Sequence, residues 1–214
     1  FGGAVREALF RKFGWAPSLI GKLRAHDPQV VHAHFGTCGP AAMALARSLN
    51  TPLVVTFHGH DATMSEDELR KTIRGRELLT KKEKLIERTD AFIAVSGYIR
   101  QRLLDQGYPD RKVIVLHNGI ELDFFHPRRD LDRKPYIVFV GRFVEKKGVT
   151  YLIDAAAELA SNGLDFELVL IGGGPLEADL RSQAQSSGAP CRFTGFIPSD
   201  DVRNWLAKAC VVAI

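Results

Sequence analysis

The sequence predicts an α/β protein built from two Rossmann-like, doubly wound domains, and three observations carry that prediction. Short apolar runs alternate along the chain with longer stretches of helical periodicity. Most of the apolar runs are near-continuous, the pattern of strands covered on both faces of a parallel sheet. The alternation lapses once, in HNGIELDFFHPRRDLDRKPY, and then begins afresh. This polar, proline-bearing stretch marks a linker near residues 127–133, with an N-terminal domain over 1–127 and a C-terminal domain over 128–214.

Strands are expected at 30–34, 53–57, 91–95, 113–116, 136–140, 166–171, 192–194 and 210–214, where β-branched and aromatic residues cluster. Helices are expected at 40–48, 67–88, 97–106, 148–161, 176–185 and 199–208. The helix at 97 follows Ser96, a good cap, and Ser199 offers a cap before Asp200 and Asp201. Pro175 suits a first helical position because its missing N–H has no partner there to lose. The stretch DELRKTIRGRELLTKKEKLIER reads as one charged helix, with Lys81, Lys82, Lys84 and Arg88 gathered toward its end.

The chain has 214 residues, 45% of them hydrophobic, enough for one or two real cores. Its net charge of +4 arises wholly before residue 128, since the remainder balances its acids and bases. That distribution suits contact with an anionic substrate or surface and not a nucleic-acid coat. Cys38, Cys191 and Cys210 have no CxxC spacing, so a reducing, cytoplasmic setting is expected. No run of about 18 apolar residues occurs, and no n-region and h-region pattern opens the sequence. FGGAVREALF opens close to a helical pattern and ACVVAI closes on an apolar run, so a piece of a longer chain is expected, with both domains truncated.

Ligands of open parallel sheets lie beyond the carboxyl ends of strands. The residues there are His34-Phe35-Gly36, His58-Gly59-His60-Asp61, Ser96-Gly97, His117-Asn118-Gly119, Gly141-Arg142 and Gly172-Gly173-Gly174-Pro175. Glycine, histidine and arginine are over-supplied there for loops that merely turn. In GRFVEKKG, Gly141 permits close backbone approach, while Arg142 and Lys147 flank a helix start that is already electropositive. Cations in that position imply an anion between them, and a diphosphate is the natural one. Pairing of Arg142 with Glu145 or Asp154 is the competing reading. The triple glycine matches neither the dinucleotide fingerprint nor the phosphate-binding loop with its following lysine. His32 and His34, on one side of a strand, with His58, His60 and Asp61 form a zinc-like set, but every histidine precedes the linker and metal is the weaker reading. Asp130–Asp132 reads as a salt-bridged linker, and no nucleophile elbow occurs.

With these residues collected, the chain resembles the retaining glycosyltransferases of the GT-B fold, family 4. HFG, VTFHGHDAT and NGIELDFFHP look most like bacterial exopolysaccharide transferases of the colanic-acid type. GRFVEKKG, VLHNGIELDFF, LVLIGGGPLEADL and FTGFIPSDDVRNWLAKACVVAI match that family in order and spacing. The resemblance implies a UDP- or GDP-sugar donor on the C-terminal domain and a lipid-linked or saccharide acceptor on the N-terminal one. It further implies peripheral contact with the inner membrane face, no cofactor and no metal. By that likeness Arg142 and Lys147 grip the diphosphate, and His58 attends the reacting sugar. Gly141 and Gly172 to Gly174 border the donor, and Phe196 and Ile197 lie near the base. His34, Gly36, His60, Asp61 and Asn118 belong to the acceptor side or cleft. The family's first strand and glycine-rich loop are missing or only brushed by Gly2-Gly3. Its paired glutamates are expected after Ile214, so little turnover is expected of these residues alone. A nucleotide-sugar epimerase, a non-catalytic diphosphate-binding module and a metal hydrolase remain the alternatives.

Overall fold

The computed structural model describes residues 17–126 and 134–214. It divides into two compact units, Phe1–Gly119 and Ile120–Ile214. The division falls ahead of the expected linker, whose residues 127–133, with Asp130–Asp132 among them, lie outside the described ones, as do Gly2 and Gly3.

In the first unit the elements are α1 (Pro17–Arg24), β1 (Val31–His34), α2 (Gly39–Leu49), β2 (Leu53–Phe57), α3 (His60–Thr63), α4 (Glu66–Arg70), α5 (Ile73–Arg88), β3 (Ala91–Ala94), α6 (Gly97–Asp105) and β4 (Val113–Val115). The strands are parallel and stand in chain order, β1-β2-β3-β4. Right-handed crossovers that all step the same way place their helices on one side of the sheet. The register shows which side. Ala33, Val55, Phe92 and Val113 share a row and are buried in one core with Leu78, Leu85 and Leu103 from the helices. The alternate row holds His34, Thr56, Ile93 and Ile114. Of these only Thr56 is buried, and Ile114 is 55% exposed. The expectation of strands covered on both faces therefore fails for the described part of this unit.

The charged helix expected at 67–88 is two helices. Ser65 and Glu68 form a reciprocal capping box on α4, and Thr72 caps α5 by accepting a hydrogen bond from the Gly75 N–H at 3.0 Å. Gly75 is required at this junction, because a Cβ would stand 2.1 Å from the Leu69 carbonyl oxygen. The continuous run of charges hid the break. α1 and the single-turn α3 were not expected either.

The second unit contains β5 (Lys134–Val140), α7 (Val149–Ser161), β6 (Glu167–Ile171), α8 (Glu177–Ser187), β7 (Cys191–Gly195), α9 (Ser199–Lys208) and β8 (Ala209–Ala213). Its parallel sheet has the order β7-β6-β5-β8. The first two crossovers step one way and the third returns past β6 and β5, so helices must cover both faces. Two cores confirm this. Phe139, Leu168 and Leu170 pack with Ile153 and Leu180 from α7 and α8. Val138, Val169 and Ile171 pack with Val202, Trp205 and Leu206 from α9. This is the double burial that the continuous runs predicted, and each such side chain contributes about 1.5–3 kcal/mol on leaving water. Two end signals shift by a residue or two. Ser199 is the first helical residue of α9, not its cap, and the cap position falls on Pro198 with no side-chain bond. Pro175 precedes α8, whose cap position is Leu176.

Candidate functional site

In the first unit the carboxyl ends of β1 and β2 bring together a compact group. Asp61 organises it. Its Oδ2 accepts the Gly36 N–H at 2.7 Å, and its Oδ1 accepts the N–H groups of His58 and Gly59 at 3.1 Å each. The carboxylate is only 6% exposed, so it is a clamp between two loops and presents no free oxygen to a ligand. Its observed work, in the loop expected for the acceptor side or cleft, is to hold that loop to its neighbour. Gly36 is equally structural, because a Cβ there would lie 2.1 Å from the Phe57 ring. Gly59 takes φ 127°, open to glycine alone. Behind Asp61 the Tyr108 phenol sits edge-on to Phe57 and Phe92, and burial, with Asp61 adding to it, pushes its pKa well above the usual phenol range.

On this frame stand three imidazoles. His34 Nδ1 lies 2.9 Å from His58 Nε2, with the ring centroids 5.1 Å apart and the planes 26° from parallel, and the His32 ring lies 4.4 Å from that of His34. His32 Nε2 meets the buried Thr56 hydroxyl at 2.7 Å. Burial first, then the neighbouring His34 and His58, hold the His32 pKa below the ordinary histidine value. The sequence reading that put His32 and His34 on one side of a strand holds. Phe35, named there without a role, is 48% exposed, takes a left-handed φ of 72°, and sets its ring 4.8 Å from His58. An aromatic residue wedged between His and Gly just past a strand was the available signal. His60 and Asn118 are not drawn into the group. Both are exposed, and the His60 ring acts electrostatically on Glu68 instead. Among the described residues no three His, Cys, Asp or Glu side chains converge as metal ligands would.

In the second unit the strand order reverses at β5, with β6 and β7 on one side and β8 on the other. Clefts of such sheets open at the carboxyl ends beside that reversal. The loops there are stitched together by main chain. Gly141 N donates to Ile171 O at 2.9 Å, Phe143 N to Gly173 O at 3.0 Å, Gly172 N to Gly195 O at 3.0 Å and Leu176 N to Phe143 O at 3.3 Å. No side chain fits between the loops. A Cβ on Gly172 would meet the Gly141 oxygen at 2.1 Å, and one on Gly174 the Phe143 oxygen at 2.4 Å. Gly173 abuts the Phe196 ring, itself 86% exposed, while Ile197 turns back onto the α9 core.

Arg142 leaves this mesh and Lys147 ends the 3-10 turn Glu145–Lys147, both exposed. Gly148, at φ 63°, then opens α7 with no side-chain cap. Neither cation has an ion-pair or side-chain hydrogen-bond partner among the described residues. The Asp154 carboxylate accepts from Gln183 at 2.6 Å and does not pair with Arg142. The arrangement is an uncompensated positive corner above close-packed glycines.

A separate cavity of about 600 Å³ opens between α2 and α5, lined by Arg47, Lys84, Arg88 and Asp90 among others. It reaches the amino-terminal start of β2, the end remote from these loops. Lys82 is turned inward on α5, donating to the Gln106 carbonyl over the Tyr108 ring.

Residues 3–124 match the model of Glycosyltransferase Family 4, and residues 134–214 that of Glycosyl transferases group 1. An uncharacterized glycosyltransferase of Methanocaldococcus jannaschii is 32% identical over 199 residues, covering 91% of this chain and 52% of the relative. The amylovoran biosynthesis glycosyltransferase AmsK of Erwinia amylovora is 31% identical over 186 residues, covering 82% and 43%. The putative colanic acid biosynthesis glycosyltransferase WcaL of Escherichia coli is 30% identical over 189 residues, covering 84% and 44%. The chain spans about half the length of the curated relatives it matches. Among solved structures, HepE of Anabaena in complex with UDP and glucose superposes with a TM-score of 0.69 at 18% identity, over 91% of this chain and 55% of that one. Sucrose-phosphate synthase of Thermosynechococcus elongatus gives 0.65 at 20% identity, over 97% and 55%. At such identities these two share the GT-B fold.

Proposed function

Because the chain belongs to the family 4, group 1 glycosyltransferases, we propose that the whole protein transfers a hexose from a UDP- or GDP-sugar to a lipid-linked or polysaccharide acceptor in cell-surface polysaccharide synthesis. Transfer proceeds with retention at the anomeric carbon and without a metal ion. The observation that carries this reading is the pair Arg142 and Lys147, cationic, exposed and unpartnered among the described residues beside the switch point of a doubly wound sheet. A diphosphate supplies the missing counter-charge. As the sugar–phosphate bond breaks, negative charge grows on the β-phosphate oxygen, and fixed cations stabilise that state more than the ground state. Gly141 and Gly172 to Gly174 let the donor approach the backbone, and exposed Phe196, beside Gly173, offers a face to the base. His58 hydrogen-bonds a hydroxyl of the reacting sugar or supports its oxocarbenium-like centre.

The comparisons support the donor and pathway class: the HepE crystal holds UDP and glucose, and AmsK and WcaL carry exopolysaccharide names. No described helix is long and apolar enough to cross a membrane. The basic end of α5 is the proposed point of peripheral contact with the inner membrane face, through Lys84 and Arg88 and without the inward Lys82.

The test is Arg142→Ala and Lys147→Ala in the full-length protein, assayed with UDP- and GDP-hexoses and a lipid-linked acceptor. Each lowers the transfer rate by about 10²–10³-fold with an unchanged unfolding midpoint, and EDTA leaves the wild-type rate intact. A wild-type rate in either variant overturns the diphosphate role, and a chelator-sensitive rate overturns the metal-free mechanism.

A further inference from the structure

A histidine that acts on a ligand through one ring nitrogen is usually oriented through the other by a carboxylate or a backbone carbonyl. Here the second nitrogen of His58 meets another imidazole. The 2.9 Å separation of His34 Nδ1 and His58 Nε2 is hydrogen-bond distance, and the ring centroids at 5.1 Å with planes 26° apart fit an edge-to-edge, near-coplanar pair. One hydrogen occupies that line, so one nitrogen donates and the other accepts. No carboxylate bonds either ring among the described residues, and Asp61, in the same loops, serves three backbone N–H groups instead.

We propose that His34 is a positioning residue for His58: its Nδ1 accepts the His58 Nε2–H, fixing His58 as the Nε2-protonated tautomer with Nδ1 left as the free, hydrogen-bond-accepting nitrogen. The direction follows from the chemistry of neutral imidazole, which in a histidine side chain favours hydrogen on Nε2. This arrangement lets both residues keep that form, whereas the reverse would force both into the less stable one. The frame holds the pair from both sides. The backbone N–H of His58 is tied to Asp61, and Gly36, next but one to His34, is tied to the same carboxylate. His58 Nδ1 has no partner among the described residues. The consequence is that His58 meets a saccharide hydroxyl as an acceptor and not as a donor, a step that rests on the glycosyltransferase reading above.

The test has two arms, both on the full-length protein. Long-range ¹H–¹⁵N spectra of histidine-labelled protein at mildly alkaline pH report the tautomer directly. The wild type is expected to show His58 Nε2 as pyrrole-type and Nδ1 as pyridine-type nitrogen. His34→Asn places an amide oxygen near the lost Nδ1 and retains that pattern. His34→Phe keeps a ring beside His58 but accepts nothing, so a mixture of tautomers appears. A wild-type His58 protonated on Nδ1, or a His34→Phe spectrum unchanged from wild type, overturns the proposal, and the wild-type spectrum decides alone if a variant fails to fold. In the second arm, His34→Phe is expected to lower kcat about tenfold at unchanged donor KM, the loss of one hydrogen bond to the reacting ligand, with recovery in His34→Asn. If the spectra behave as expected and kcat does not move, the pairing stands and the catalytic use of His58 falls.

Discussion

Replacing Asp61 by alanine tests whether this carboxylate is a clamp or a reagent. The substitution removes the acceptor for three backbone N–H groups at 2.7, 3.1 and 3.1 Å. The Gly36 bond is buried and is lost in full, costing about 1.5–3 kcal/mol because the acceptor is charged. The N–H groups of His58 and Gly59 are partly solvated and regain water, so each costs less, about 0.5–1 kcal/mol. The sum is about 2.5–5 kcal/mol, a large share of the ~5–15 kcal/mol that holds a typical domain. Asp61→Asn keeps one oxygen but turns an N–H2 toward a backbone N–H, and is expected to cost about 2 kcal/mol. Urea unfolding followed by circular dichroism gives the total, and amide hydrogen exchange at Gly36, His58 and Gly59 shows whether the loss is local. A loss below about 1 kcal/mol in Asp61→Ala, with those amides still protected, refutes the clamp.

Gly172→Ala is expected to destabilise the second unit by about 3 kcal/mol or more, since φ is +127° and the new methyl meets a carbonyl oxygen. Gly163→Ala, at φ +83° with open space around it, costs only about 1 kcal/mol in the same unfolding assay. Burial pushes the Cys191 thiol up to about 11, while Cys210 is exposed, so iodoacetamide at mildly alkaline pH labels Cys210 quickly and Cys191 slowly. The sign for stability follows. The unfolded chain releases the Cys191 proton first, so the contribution of that thiol is intact below an ordinary 9.0 and is lost as pH rises toward about 11.

Sequence pattern showed the second unit more faithfully than the first. The run VFVG and its successor LVLI are apolar on consecutive positions because helices lie against both faces of β5 and β6. In the first unit the runs look just as apolar, yet Ile114 and His34 share a row that no described helix covers. Composition does not record the direction in which a crossover steps. The helix break at Thr72 was legible only as a threonine three residues before a glycine, a signal drowned by the charges around it. Of the candidate site residues, Arg142, Lys147 and the glycines could be singled out because strand ends and electrostatics are local properties, and the structure leaves both cations exposed over close-packed glycines. The three backbone partners of Asp61 could not be read in advance, since a carboxylate facing a ligand and one facing three amides look alike in sequence. His34 and His58 lie 24 positions apart, and their bond exists only because β1 and β2 pair in register.

The loops around Gly172 are knitted by peptide groups alone, so their shape makes no demand on the identity of residues 142, 144–147 or 196. Those positions are therefore free to be exchanged wholesale while the weave beneath them persists. The surface chemistry carried by this unit is thus separable from its scaffold, which gives way when Gly172 or Gly174 gains a methyl group.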